Sequence, residues 1–92
     1  MQLEIVTPEA VIFKSEVDAV TVPGVNGSFQ MLKDHAPIVS LLDAGVVKIQ
    51  GDNITMMNEY KSLFEEHKGE YTISIKGGTI EMNHNKIIVL AD

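Results

Sequence analysis

Tyr71, Ile73 and Ile75 alternate with Thr72, Ser74 and Lys76, the two-residue period of a strand with one face buried. Similar short apolar runs recur along the chain, each bounded by turn formers. Leu3-Glu4-Ile5-Val6 ends at Thr7-Pro8-Glu9, Val11-Ile12-Phe13 ends at Lys14-Ser15, and Val17 to Val22 ends at Pro23-Gly24, with Asn26-Gly27 reinforcing the turn. Ser28 to Leu32 and Ala36 to Leu42 follow on either side of Lys33-Asp34, with Pro37 confining the start of the second run to an edge or irregular position. Asp43-Ala44-Gly45 turns the chain before Val46 to Gln50. Gly77-Gly78 permits a tight reversal or bulge, and Thr79 to Met82 pairs with Lys86 to Leu90 around Asn83-His84-Asn85, residues that tolerate left-handed backbone. About nine or ten short strands so spaced predict an all-β domain, a two-sheet β-sandwich. Its expected core is Ile5, Phe13, Val20, Val22, Phe29, Ile49, Ile73, Ile75, Ile88 and Leu90.

One segment departs from this period. Met57, Tyr60, Leu63, Phe64 and His67 share one side of a helical wheel, opposite Asn58, Glu59, Ser62, Glu65 and Glu66. Asn58 as N-cap, Glu59 in the first turn, Lys68 in the last and Gly69 beyond the C-terminus predict a short inserted helix near residues 58–68. Its apolar side needs cover, which packing within the chain supplies most simply. In the other arrangement Tyr60, Phe64 and His67 form an extra contact with a partner.

Ninety-two residues suit one domain, 1–92, and 45% hydrophobic with 22% charged residues is ordinary globular usage. With no Cys, disulfides, cysteine-based zinc sites and thiol nucleophiles are excluded. The longest apolar runs, such as Ile87 to Ala91, fall far short of the roughly 20 residues that span a bilayer, so no direct lipid insertion is expected. Nor does the start, Met1-Gln2-Leu3-Glu4-Ile5-Val6, carry the pattern of an export signal. Seven Lys, no Arg and thirteen acids give a net charge of −6, the wrong sign for holding nucleic acid phosphates.

Candidate chemistry is sparse. Asp34-His35 with Ser40 supplies the residue types of a hydrolase triad, but neighbours on an extended segment point in opposite directions and cannot line up one behind another. His67 and His84 lack a metal-ligand spacing. Gly24-Val25-Asn26-Gly27-Ser28 is glycine-rich without the Gly-Lys-Ser/Thr of a phosphate cradle, and Glu65-Glu66 reads as a solvated face. Met31, Met56, Met57 and Met82 read as core or interface filler. No catalytic residue, cofactor or metal site is expected, and a sandwich without an active site is expected to bind something.

Three stretches in order carry a resemblance: Leu3-Glu4-Ile5-Val6-Thr7-Pro8-Glu9, then Val22-Pro23-Gly24 through Leu32-Lys33-Asp34-His35-Ala36-Pro37-Ile38, then Gly77-Gly78-Thr79-Ile80-Glu81 through Val89-Leu90-Ala91-Asp92. Together they cover nearly the whole chain and resemble the epsilon subunit family of ATP synthases. That resemblance implies a ten-stranded sandwich in the central stalk of a bacterial ion-translocating ATP synthase, on the cytoplasmic face of the inner membrane. The implied partners are the gamma subunit, the c-subunit ring and the remainder of the synthase, with a coupling role during ATP synthesis rather than catalysis. It also implies a contact of His35, Ala36, Pro37 and Ile38 with the ring, with Ser28 beside them. Where some relatives have an acid, Ser28 supplies no charge.

Two departures accompany the resemblance. Most relatives continue past Val-Leu-Ala-Asp into a two-helix domain that can block ATP hydrolysis and in some members binds ATP; the sequence here ends at Asp92, and neither property is carried over. The segment from about Gly51 to Gly69 is longer than the hairpin most relatives have there. The competing functions are a free-standing sandwich that binds a carbohydrate or peptide and a small hydrolase using His35. The first expects an exposed aromatic platform, for which no Trp, two Tyr and three Phe are a poor supply.

Overall fold

The computed structural model describes residues 1–92 and contains ten strands. They are β1 (Gln2–Val6), β2 (Val11–Glu16), β3 (Ala19–Gly24), β4 (Gly27–Leu32), β5 (Ile38–Leu42), β6 (Gly45–Gln50), β7 (Glu65–His67), β8 (Glu70–Ile75), β9 (Gly78–Asn83) and β10 (Lys86–Ala91). One layer has the order β2-β1-β10-β9-β5 and the other β4-β3-β6-β8-β7, joined where Gly24 of β3 pairs with Leu42 of β5. All pairings are antiparallel except β1 with β10. The all-β architecture of about nine or ten strands expected from the apolar spacing is thus present, with ten strands as the resemblance implies.

Alternation builds the interior. Leu3 and Ile5 from β1, Val20 and Val22 from β3, Val47 and Ile49 from β6, and Ile80 and Met82 from β9 are all essentially without solvent exposure. Of the expected core, Ile5, Phe13, Val20, Val22, Ile49, Ile73 and Ile75 are buried, and Phe29 is half-buried against the cluster. The last strand is out of phase with expectation. Ile87, Val89 and Ala91 point inward, Ile88 is half-buried and Leu90 is exposed. Five consecutive apolar residues, Ile87 to Ala91, contain no alternation to read, so their register with β9 decides the face. Gly78 lies opposite Ala91, and a Cβ there would overlap the Leu90 carbonyl oxygen. Only glycine permits that approach.

The helix expected near 58–68 is absent. Tyr60, Leu63 and Phe64 donate their N–H groups to the carbonyls of Met57, Tyr60 and Lys61, which makes successive tight turns with a 3-10 turn at Lys61–Leu63. Glu65, Glu66 and His67 then pair with Thr72, Tyr71 and Glu70. Lys68 (φ 52°) and Gly69 (φ 80°) form the two-residue turn between them. Two successive left-handed residues suit a hairpin, so the Lys68-Gly69 that resembled a helix end closes a strand pair. A helix this short is marginal in water, whereas the hairpin satisfies its backbone against an existing sheet.

The side chains of this segment nevertheless go inward. Phe64 is buried with its ring centroid 5.6 Å from that of Phe13, while Ile54, Met56 and Tyr60 pack against the core. Buried Ser15 accepts the Thr55 N–H at 2.9 Å and donates to the Glu16 carbonyl at 3.0 Å. The segment therefore covers part of the side of the sandwich where the outer strands β2 and β7 do not meet.

Candidate docking surface

The connection from β4 to β5, residues 33–37, is short, exposed and held at two points. His35 donates its N–H to the Leu32 carbonyl at 3.1 Å, and Asp34 sits in left-handed backbone (φ 64°). Asp34 exchanges two hydrogen bonds with Asn85, its N–H donating to Asn85 Oδ1 and Asn85 Nδ2 donating to Asp34 Oδ1 at 2.9 Å. Asn85 belongs to the turn of the β9–β10 hairpin, where His84 (φ 49°) and Asn85 (φ 60°) are both left-handed. A strand-to-strand loop is thereby clipped to a hairpin 51 residues away in sequence.

His35 is half-buried with Nδ1 2.7 Å from the Ala36 carbonyl, Ala36 and Pro37 are exposed, and Ile38 is half-buried against the core. Ser28 is not beside them. It lies opposite Pro23 at the far end of β4, four residues or about 13 Å of strand before Leu32. The triad types are also dispersed, since Asp34 engages Asn85 and Ser40 Oγ donates to the adjacent Leu41 carbonyl at 3.1 Å. Phe64 and Tyr60 are occupied inside the chain, and His67 is exposed on β7. They do not form a common surface.

Beyond Pro37 the chain enters β5, which begins an exposed aliphatic band. Leu41, Thr79, Leu90 and Val6 succeed one another across β5, β9, β10 and β1, with Val39, Glu81, Ile88 and Glu4 in the neighbouring row. Residues opposite each other in a ladder share a face, so these eight side chains form two adjoining rows on the outside of one sheet. Val39 is 75% exposed, Leu41 61% and Leu90 50%. Glu4 is engaged by Lys86 at 3.4 Å, which leaves Glu81 as the acid between Val39 and Ile88. The surface is flat, aliphatic and continuous with the clipped loop. It offers shape and apolar area for a protein partner and contains no nucleophile paired with a base.

The sequence pattern does not single out Val39 or Leu41, and it places Leu90 in the core, whereas all three are exposed. The available signal was that Ile38-Val39-Ser40-Leu41-Leu42 and Ile87 to Ala91 are apolar in both phases. A strand of that kind needs cover on both faces.

All 92 residues match the family described as ATP synthase, Delta/Epsilon chain, beta-sandwich domain. The chain is 34% identical over 92 residues to the ATP synthase epsilon chain of Campylobacter concisus, covering all of this chain and 60% of that relative. It is 38% identical over 90 residues to the ATP synthase epsilon chain of Chlorobaculum tepidum, covering 98% and 86% of the two chains. Among solved structures, a chain of the central stalk and c-ring of the Tetrahymena thermophila mitochondrial ATP synthase superposes with a TM-score of 0.70 at 15% identity, covering 99% of this chain and 62% of that one. A chain of the Euglena gracilis mitochondrial ATP synthase gives 0.71 at 21% identity, covering 97% and 48%. These two structural likenesses concern the fold.

Proposed function

Because this chain belongs to the ATP synthase delta/epsilon β-sandwich family, we propose that it is a non-catalytic central-stalk subunit of a bacterial ion-translocating ATP synthase, coupling the gamma subunit to the c-subunit ring. The proposed location is the cytoplasmic face of the inner membrane, reached through protein contacts. The observation that carries this reading is the aliphatic band of exposed Val39, Leu41 and Leu90 with half-buried Ile88, on a domain whose interior is already filled. Such a patch gains from burial only when a partner covers it. We assign the band to gamma and the adjoining loop, His35 to Ile38, to the ring. Ser28, at the other end of β4, lies outside that loop contact.

Transmitting torque requires a body that does not yield. Two sheets packed at interior density deform little under load, and the Asp34–Asn85 clip holds the contact loop to the same body. The test is recovery of the head and ring subunits with tagged chain from detergent-solubilised membranes. Wild-type chain is expected to retain gamma, and Val39→Asp with Leu41→Asp is expected to lose it at least tenfold while remaining folded. Recovery of no synthase subunit by wild-type chain would reject the reading. Pro37→Gly with Ile38→Asp is expected to leave gamma bound, weaken attachment to the ring and raise uncoupled ATP hydrolysis; unchanged ATP-driven ion pumping removes the loop from the ring contact.

A further inference from the structure

The two layers do not close on the side away from β5. Strand β2 pairs only with β1, and β7 is three residues long, so it covers β8 only from Glu70 to Thr72. Beyond Thr72 the outer edge of β8 has no neighbour. In an antiparallel ladder successive residues direct their backbone groups to opposite sides. Glu70 and Thr72 serve β7, and Ser74, two residues further, turns its N–H and C=O to the same, unpaired side. An open cleft of about 330 Å³ runs along this edge. Ile12, Leu63, Ile73 and Ile75 provide apolar lining, Ser74 and Lys76 lie along the β8 wall, and the inserted segment stops short of filling the space.

We infer that this cleft accepts an extended segment of a partner polypeptide, added as a strand along β8, with aliphatic side chains at alternate positions directed between Ile12 and Ile75. The free backbone edge selects for an extended peptide, because it offers a donor and an acceptor that only another strand matches in register. The volume is at the lower bound of the roughly 300–1,000 Å³ typical of small-molecule pockets, too little to favour such a ligand over a peptide. A second copy of the chain is disfavoured by charge. Edge-to-edge approach about a two-fold axis would bring Glu65 and Glu66 of β7 toward their counterparts in a chain of net charge −6. Glu65 and Asp92 on the rim, against the single cation Lys76, favour a basic residue flanking the incoming aliphatics.

The probe is a capped peptide of alternating valine and threonine with a lysine at each end, added to the purified chain. Amide hydrogen exchange at Ser74 is expected to slow at least tenfold at saturating peptide, and not with the same peptide carrying serine for valine. Leu63→Trp, a change at a half-exposed residue of the lining, fills the cleft and is expected to weaken binding of a labelled probe at least tenfold. Ser74→Pro removes the outward N–H and is expected to do the same; if that variant fails to fold, Leu63→Trp decides. The inference is overturned if Ser74 exchanges equally with and without the valine peptide, if the serine peptide protects it as well, or if Leu63→Trp binds unchanged. Protection that rises with chain concentration in the absence of peptide also overturns it, in favour of a second copy.

Discussion

The outer faces of the two sheets meet the same solvent and are built differently. On the β4-β3-β6-β8-β7 sheet the outward positions are mostly polar, with Gln30 and Thr21 3.5 Å apart, Lys48 opposite Thr72 and Gln50 donating to Glu70 at 2.9 Å, beside the exposed aliphatics Leu32 and Val46. On the other sheet they are Val39, Leu41, Ile88, Leu90 and Val6 around Thr79, Glu81 and Glu4. Since both inner faces are lined by buried apolar residues, folding alone gives no reason for this asymmetry. An aliphatic outer face adds little to the stability of the isolated domain and makes its surface stickier. On the proposed reading, the difference separates residues that make the domain from residues that attach it.

That separation is most sharply tested on one strand. Ile87→Ala leaves a cavity in a filled core and is expected to cost about 2–5 kcal/mol, whereas exposed Leu90→Ala is expected to cost within about 0.5 kcal/mol and to weaken gamma retention instead. Urea denaturation of the two variants reads the contrast; equal losses would remove the distinction between the faces.

Next in size is the seam. Phe64→Ala removes the ring packed on Phe13 and is expected to cost about 3 kcal/mol, measured by urea denaturation. A loss below about 0.5 kcal/mol would mean that the inserted segment adds nothing to the core.

A smaller effect is expected where the aliphatic sheet meets the loop of residues 33–37. Asn85→Gly keeps the left-handed backbone but removes the side chain that clips Asp34, so stability is expected to fall by about 1 kcal/mol and the His35 amide to exchange faster. Unchanged exchange at His35 would show that the loop is held without the clip.

The smallest effect lies at the edge of the polar sheet. Lys68 carries φ 52° in a two-residue turn, and Lys68→Asn, better suited to left-handed backbone, is expected to raise stability by about 0.5 kcal/mol. A lower melting temperature for this variant would contradict the hairpin assigned to 65–72.

Most of the fold was legible because most strands alternate. Leu3 and Ile5, Val20 and Val22, and Ile73 and Ile75 all face inward as their spacing implies. The turn at Asn83 to Asn85 was legible from residues that accept left-handed backbone. Reading failed where local signals served two structures at once. Tyr60 and Phe64 are spaced for one side of a helix and do pack on the core, yet they do so from an irregular segment. Of the residues expected at a contact, His35 to Ile38 lie together because they are adjacent in the chain, while Ser28 is separated from them by the length of β4.

The amino-acid sequence by itself determined the all-β class, nine of the ten strands, the β9–β10 hairpin turn and the family, because these rest on local periodicity, backbone preference and motif order. Only the tertiary structure decided which face of β10 is buried, that Glu65 to His67 form a strand, and that Asp34 is tied to Asn85. Each of these depends on a partner distant in the chain or on a choice between locally similar alternatives. A run such as Ile87 to Ala91 fits either face equally well until β9 and β1 fix its register, and that register leaves Leu90 outside.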